Sequence, residues 1–540
     1  MAIMAMDTVH KNKLNGFVLA IIFSNYAAAG EWKFEPSLLI DETYTNNVNL
    51  SADNKISSLV SQTGVNLETA YQAQQAVFNF SSQSRYALYS HDHVLDNDYH
   101  TIASNFRLQL WPNGVVIFAS ANIDNQARNS NRNALADIVS SDTVQVETYN
   151  GGVEYNIDNS RFIINSAIGF RQTNSEDDIG NREGVVAEIS SQNGSGARNI
   201  FWDLEHNYQE LKNNDQDGKL HQTEVKIGLI SEFKLNPFIR YYDEDNSGNL
   251  SNPNNSTESN SYGVGIRWLI SPRLYLDTAY NKPISNNSDI DGDEQKEYVN
   301  AAIKWQPSIR TSLEASYSER FFGDSYGLNF VHKNKRLTNS VNYIEDVQTL
   351  TRNNFVAETI GFYLCPNNNV ASISECTLQE GTTIIPGNPS DPDNQGYSIF
   401  PIQEFILVED NVLSLNKTLN WNSTLELPRT TITFNGSRQR RDNLDTRIKD
   451  ESLFFGLNIN RSISGRSSVN LDMSYTENNF QLDTEQEQLS RYRRYQIGYE
   501  KSLNSSLSFN IDLSYLNRSS SDFTLNYEEG RLSAKITKGF

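Results

Sequence analysis

The chain has 540 residues, with 45 Lys and Arg against 66 Asp and Glu, a formal charge of −21. That balance excludes nucleic acid as a partner, which needs basic clusters to neutralise phosphates. Hydrophobic residues make up only 37% and mean hydropathy is −0.56, yet aromatics reach 11% with 26 Tyr and 26 Phe; disordered chains are poor in aromatics, so disorder is excluded too.

Taken in chain order, Lys11 and Lys13 precede a compact apolar run, Leu14 to Phe23, and Ala27, Ala28 and Ala29 then form a small-residue site. This three-part pattern predicts a cleaved signal peptide over residues 1–29 and a mature chain over 30–540. The apolar run is too short to cross a bilayer, which takes about 20 residues. The bland alternative is an amphipathic N-terminal helix of a cytoplasmic protein. No later stretch is long and apolar enough for a membrane helix.

From Trp32 to Phe540 one unit keeps returning: a run of about ten residues alternating apolar and polar, ended by Asn, Asp, Ser, Gly or Pro. In Ser467 to Tyr475, for example, Val469, Leu471, Met473 and Tyr475 share one face while Asn470, Asp472 and Ser474 share the other. Arg310 to Tyr317 and Leu507 to Tyr515 behave likewise. A helix would smear these apolar residues around its axis, so the period of two predicts strands. Some connections are tight, at Trp111 to Gly114, Ile157 to Ser160, Ile270 to Pro272, Ser464 to Gly465 and Leu503 to Ser505. Others are long and polar, above all 349–403. Short and long connections largely alternate back from the C-terminus.

Alternating strands between short turns and long loops predict an all-β fold. Specifically, the pattern fits a transmembrane antiparallel up-and-down β-barrel of about 24 strands, in a range of roughly 20 to 26, with short periplasmic turns and long extracellular loops. An even count needs Val185 to Ser190 as a strand. Trp111, Trp268, Trp305, Trp421 and Tyr515, beside turns, suit an interfacial girdle or ordinary turn packing.

Candidate sites are few. Asn213, Asp215 and Asp217, with Gly218 and Glu224, follow the twelve-residue spacing of a calcium loop, in which hard oxygens surround the ion and Gly permits the turn. Asp243 to Leu250 repeats its first half, with Asn254 where Glu belongs, and Asp289 to Glu294 is looser. The competing reading is that Asp, Asn and Gly simply make hairpin turns. Cys365 and Cys376 lie in the longest loop, and in an oxidising exported setting they are expected to form a disulfide contributing about 3 kcal/mol. His91, Asp92, His93, Asp96, Asp98 and His100 cluster in sequence and read best as a polar loop, since no nucleophile can be assigned. Without a phosphate loop, serine elbow or HExxH motif, no enzyme is expected.

Two resemblances add to this. The last strand, Arg531 to Phe540, puts Leu532, Ala534, Ile536 and Phe540 on one face and resembles the C-terminal signal read by the barrel-assembly machinery, with Lys538 as a departure. Phe34-Glu35-Pro36-Ser37-Leu38 followed by Glu42-Thr43-Tyr44-Thr45-Asn46-Asn47-Val48 resembles the opening of the PEP-CTERM-system-associated outer-membrane proteins, Asn46-Asn47 standing where Asp-Asn is commoner. The match covers under twenty residues. It implies a role in exopolysaccharide export or surface-polymer assembly, beside polysaccharide export proteins. The expectation is therefore a monomeric outer-membrane channel in contact with lipid and lipopolysaccharide. A general or substrate-specific porin is the first alternative, and a barrel sheathing a periplasmic partner the second.

Overall fold

The computed structural model describes residues 30–540 except 112–113, 128–137, 141–142, 214–215, 248–256, 285–293, 350, 367–376, 381–396, 411–412, 486 and 522–524; across 350–412 it describes the backbone alone. The expected signal peptide, 1–29, lies outside the described residues.

The chain runs through β1 (Glu31–Thr45), β2 (Ser58–Gln72), β3 (Ala76–Tyr89), β4 (Asn97–Gln109), β5 (Val115–Ala127), β6 (Thr143–Asp158), β7 (Phe162–Ser175), β8 (Arg182–Asn193) and β9 (Ile200–Asn213). It continues through β10 (Gln216–Leu229), β11 (Leu235–Ser247), β12 (Glu258–Ser271), β13 (Leu274–Pro283), β14 (Tyr298–Ser308), β15 (Thr311–Arg320), β16 (Gly323–Lys333) and β17 (Leu337–Gln348). An excursion follows, β18 (Thr351–Pro366), β19 (Thr377–Glu380) and β20 (Tyr397–Asp410). The rest is β21 (Ser414–Leu427), β22 (Thr430–Asn443), β23 (Lys449–Ser464), β24 (Ser467–Phe480), β25 (Gln488–Ser502), β26 (Leu507–Ser520) and β27 (Tyr527–Gly539).

Every strand but those of the excursion joins one 24-stranded antiparallel sheet, which closes on itself where β1 pairs with β27. The expected count is met, with Val185 to Ser190 inside β8. The start of β1 and the C-terminus lie at one rim: Ser37 opposes Gly539, and Phe540 N–H donates to the Pro36 carbonyl at 3.0 Å. Lys538 reaches back at that rim, its Nζ donating to Ser506 Oγ at 2.7 Å.

Connections at this rim, the turn end, run from two residues (272–273) to six (194–199). Local chemistry makes them tight. Asn159 Oδ1 accepts the N–H groups of Arg161 (2.8 Å) and Phe162 (3.0 Å), an Asx-type turn. Gly114 adopts φ 103°, and a Cβ there would collide with the Asn156 carbonyl. Every barrel connection longer than six residues lies at the opposite, loop end, although the β9–β10 and β15–β16 links there each span only two.

The segment 349–403, expected as a loop, instead contains most of a three-stranded sheet, β19-β18-β20, with β20 running on to Asp410. Its sequence explains this: Ile399, Phe400, Ile402, Phe405, Ile406 and Val408 are strand formers. The barrel ignores the excursion, because β17 pairs directly with β21 from Leu337–Leu425 to Gln348–Ser414.

Alternation assigns the two faces. Outward residues are large and apolar and stand exposed, as with Leu38, Ile40, Ile168 (58%), Val264 (65%), Ile497 and Leu513. Their neighbours in sequence, such as Leu39 and Asp41 or Gly263 and Gly265, point to the lumen. The six Trp cluster toward the turn end: Trp32 near the start of β1, Trp111 in a turn, Trp202, Trp268 and Trp305 within a few residues of turns, and Trp421 somewhat farther in. Trp32 stacks on Phe34 (5.5 Å between centroids) and meets Tyr71 (4.7 Å), anchoring an outward aromatic cluster.

Candidate transport site

Two neighbouring stretches of the lumen differ in chemistry. On β9 to β15 the inward positions are charged and locked together. Arg240 Nε donates to Glu224 Oε1 (2.6 Å), and its Nη1 donates to Asn281 Oδ1 and to Tyr298 Oη, both at 3.1 Å. Lys226 Nζ lies 3.1 Å from the same Glu224 oxygen. Arg267 grips Asp277 through two bonds of 2.7 Å while its guanidinium lies 4.1 Å from the Phe201 ring centroid and 4.6 Å from that of Tyr275. Glu244 accepts from Tyr242 Oη (2.8 Å), Asn246 Nδ2 (2.9 Å) and Arg320 Nε (2.8 Å). Glu244 is 1% exposed and Asn281 fully buried. Buried charges survive only when paired and hydrogen-bonded, and here each of these is.

This wall is closed over toward the loop end. β13 to β16 are short strands of 10, 11, 10 and 11 residues. Beyond their ends Leu220 of β10 packs with Phe321, Phe322, Val347, Leu413, Leu415 and Leu444 in an apolar cluster. Gly218 lies so close to Thr349 that a Cβ would collide with its methyl group. The two tight hairpins at the loop end are thus the ones that build this seal.

The second stretch is uncharged along its middle, between Asp346 and Arg441 toward the loop end and Glu426 at the turn end. β17 turns Thr338, Ser340 and Asn342 inward; β21 adds Thr418, Asn420, Asn422 and Thr424; β22 adds Thr431, Thr433, Asn435, Ser437 and Gln439. Asn420, Asn422 and Gln439 are exposed to the lumen, so this side is open to water. Asn422 Nδ2 donates to Asn435 Oδ1 at 2.6 Å, the amide ladder expected when Asn residues oppose across strands.

A closed antiparallel ring, apolar outside and wet within, leaves one reading. The chain is an outer-membrane β-barrel. The turn end is periplasmic and the loop end extracellular, as the lengths of the connections require.

No protein-family model matches the chain, and no curated protein does. Among solved structures it is similar to the FrpB iron transporter of Neisseria meningitidis, at 9% identity and TM-score 0.41, over 94% of this chain and 82% of that one. The siderophore receptor PirA of Acinetobacter baumannii gives 10% identity and 0.39, over 94% and 80%. OpdK of Pseudomonas aeruginosa, solved with vanillate, gives 8% and 0.31, over 94% and 99%. Likenesses this remote say nothing of cargo, and the fold rests on the closed register.

The sequence-predicted calcium residues are not brought together. Asn213 opposes Gln216 at a two-residue hairpin, and Asp215 lies outside the described residues. Asp217 opposes Lys212 near the hairpin, whereas Glu224 sits deep in β10 opposite Glu205. Asp217 and Glu224 stand an odd number of positions apart, hence on opposite faces of one strand. Asn213 and Asp217 are held in the β9–β10 pairing, and Arg240 and Lys226 take the Glu224 carboxylate. Of the two looser acidic segments, Asp243 to Ser247 run along β11, where Glu244 pairs with Arg320, while 248–256 and 285–293 lie outside the described residues. So does Cys376; Cys365 lies in β18, where the backbone alone is described. The histidines disperse: His91 Nδ1 meets Ser58 Oγ (2.8 Å), His93 meets Asp96 (3.2 Å), and His100 meets Asp98 (2.8 Å). Among the described residues no group of three or more His, Cys, Asp or Glu converges on a metal-sized site.

Sequence reading did not single out Arg240, Arg267 or Arg320, and it met Glu244 only as part of an acidic loop candidate. Their signal was present: each is a charge placed at an inward position of an alternating strand, such as Arg240 between Ile239 and Tyr241. Alternation gives the face, and only the curvature of the wall gives the partner.

Proposed function

We propose that this barrel is a channel for a surface polymer, serving exopolysaccharide export across the outer membrane. The observation that carries the reading is the asymmetry of the bore: a charged wall sealed by buried ion pairs, beside a continuous polar wall open to water. A 24-stranded ring has circumference to spare for an extended chain, and the sealed wall narrows it to one side. The resemblance of Phe34 to Leu50 to the exopolysaccharide-associated family supports the same role.

Two measurements test it together. In planar bilayers the purified chain should give steady channels, and a deletion strain should lose surface polymer. Channels that pass ions and small sugars, in a strain whose polymer is unchanged, would make it a porin. Co-purification of a periplasmic electron carrier with no conductance would make it a sheath.

A further inference from the structure

We infer that the β17–β21–β22 wall is a binding track for an uncharged polyhydroxylated chain, a neutral glycan and not a polyanion. The inference rests on the channel reading and names the cargo's charge class. A carboxamide offers a donor and an acceptor side by side, as a sugar hydroxyl does. A row of them at strand spacing can therefore exchange hydrogen bonds with successive hydroxyls while exerting no net field along the track. A polyanion would need cations, and these three strands offer only one on the lumen face, Arg441, which is 6% exposed. Its neighbours on the lumen face are acidic, Asp346 across β21 and Asp450 opposite it on β23, and Glu426 stands at the far end of the track.

A second observation points to a ligand. Asn416, inward on β21 between Asp346 and Arg441 in the ladder, is 1% exposed, and neither its Nδ2 nor its Oδ1 has a hydrogen-bond partner. Asn342 Oδ1, lower on β17, is likewise buried and unpartnered. Buried polar atoms in native folds are nearly always satisfied. Both lie along the track, where small hydroxyl groups would satisfy them.

The test uses the full barrel in planar bilayers with three probes: a neutral linear glucan hexamer, a hexameric polyuronate, and the hexamer's monomer. The glucan should interrupt the current in resolved blocks, and the polyuronate should block at least about ten-fold less. The triple variant Asn420→Leu, Asn422→Leu, Asn435→Leu should shorten the blocks about ten-fold, as loss of several hydrogen bonds would. Its heat-modifiable mobility and β-type circular dichroism show whether it has folded. Saturation-transfer NMR with the same probes on detergent-solubilised wild-type protein reads binding whether or not current flows. A barrel that conducts nothing thus overturns the channel reading alone. Polyuronate binding as strong as glucan binding, glucan blocks unchanged in a folded triple variant, or no glucan transfer by NMR overturns the inference.

Discussion

Arg320 on β15 pairs with Glu244 on β11 across three intervening strands, through Nε at 2.8 Å and through Nη2 to the other carboxylate oxygen. Strands so far apart along a wall meet only if the wall curls, and this fork clasps the curl beneath the Leu220 and Phe321 cluster. Arg320→Ala strands Glu244 as a buried uncompensated charge and should destabilise the barrel by about 3 kcal/mol or more. The double variant Arg320→Ala, Glu244→Ala should recover much of that loss. Urea unfolding in lipid vesicles reads the stability. Single-channel recording should show larger conductance in the double variant, and an unchanged conductance would mean the clasp does not set the bore.

Arg267 is held by the Asp277 carboxylate and by two aromatic rings at once. Lysine keeps the charge and loses both the fork and the stacking plane. Arg267→Lys should therefore cost about 2 kcal/mol, read as a lower urea midpoint at unchanged slope. Equal midpoints for the two proteins would show that the charge alone matters.

The assignment of faces is open to direct test. Val264 points outward from the middle of β12, so Val264→Arg places a cation against lipid and should cost about 2–4 kcal/mol. Asn420→Arg points into the water of the lumen and should change stability by no more than about 0.5 kcal/mol. The ratio is measured by folding both variants into vesicles of one lipid. Reversed effects would invert every lumen residue named above.

Because β17 and β21 pair along their whole length without the excursion, deleting residues 350–412 and joining Thr349 to Leu413 should leave a folded barrel. The expected outcome is heat-modifiable migration on gels and a cooperative urea transition. An unfolded product would mean that β18 to β20 contribute to the barrel's core.

Much of the barrel could be read before any coordinates. Period-two alternation is a property of single strands, so Val469, Leu471 and Met473 announce an outward face by themselves, and turn chemistry at Asn159 or Gly114 marks the rim. The segment from Asn213 to Glu224, which also has the spacing of a calcium loop, runs through the β9–β10 pairing, so Asp217 and Glu224 face opposite ways. The segment satisfies two local patterns, and the loop pattern omits the flanking strands, which win by pairing over their full length.

What the amino-acid order determined on its own was local: which residues alternate, where the chain turns, and the broad number of strands that follows. Which inward charges meet, that one stretch of the lumen is sealed while its neighbour stays wet, and that β17 skips an excursion to reach β21 were decided by the closed ring. Those pairings bring together residues tens or hundreds of positions apart. Their energies depend on wall curvature and strand length, which no window of neighbouring residues contains.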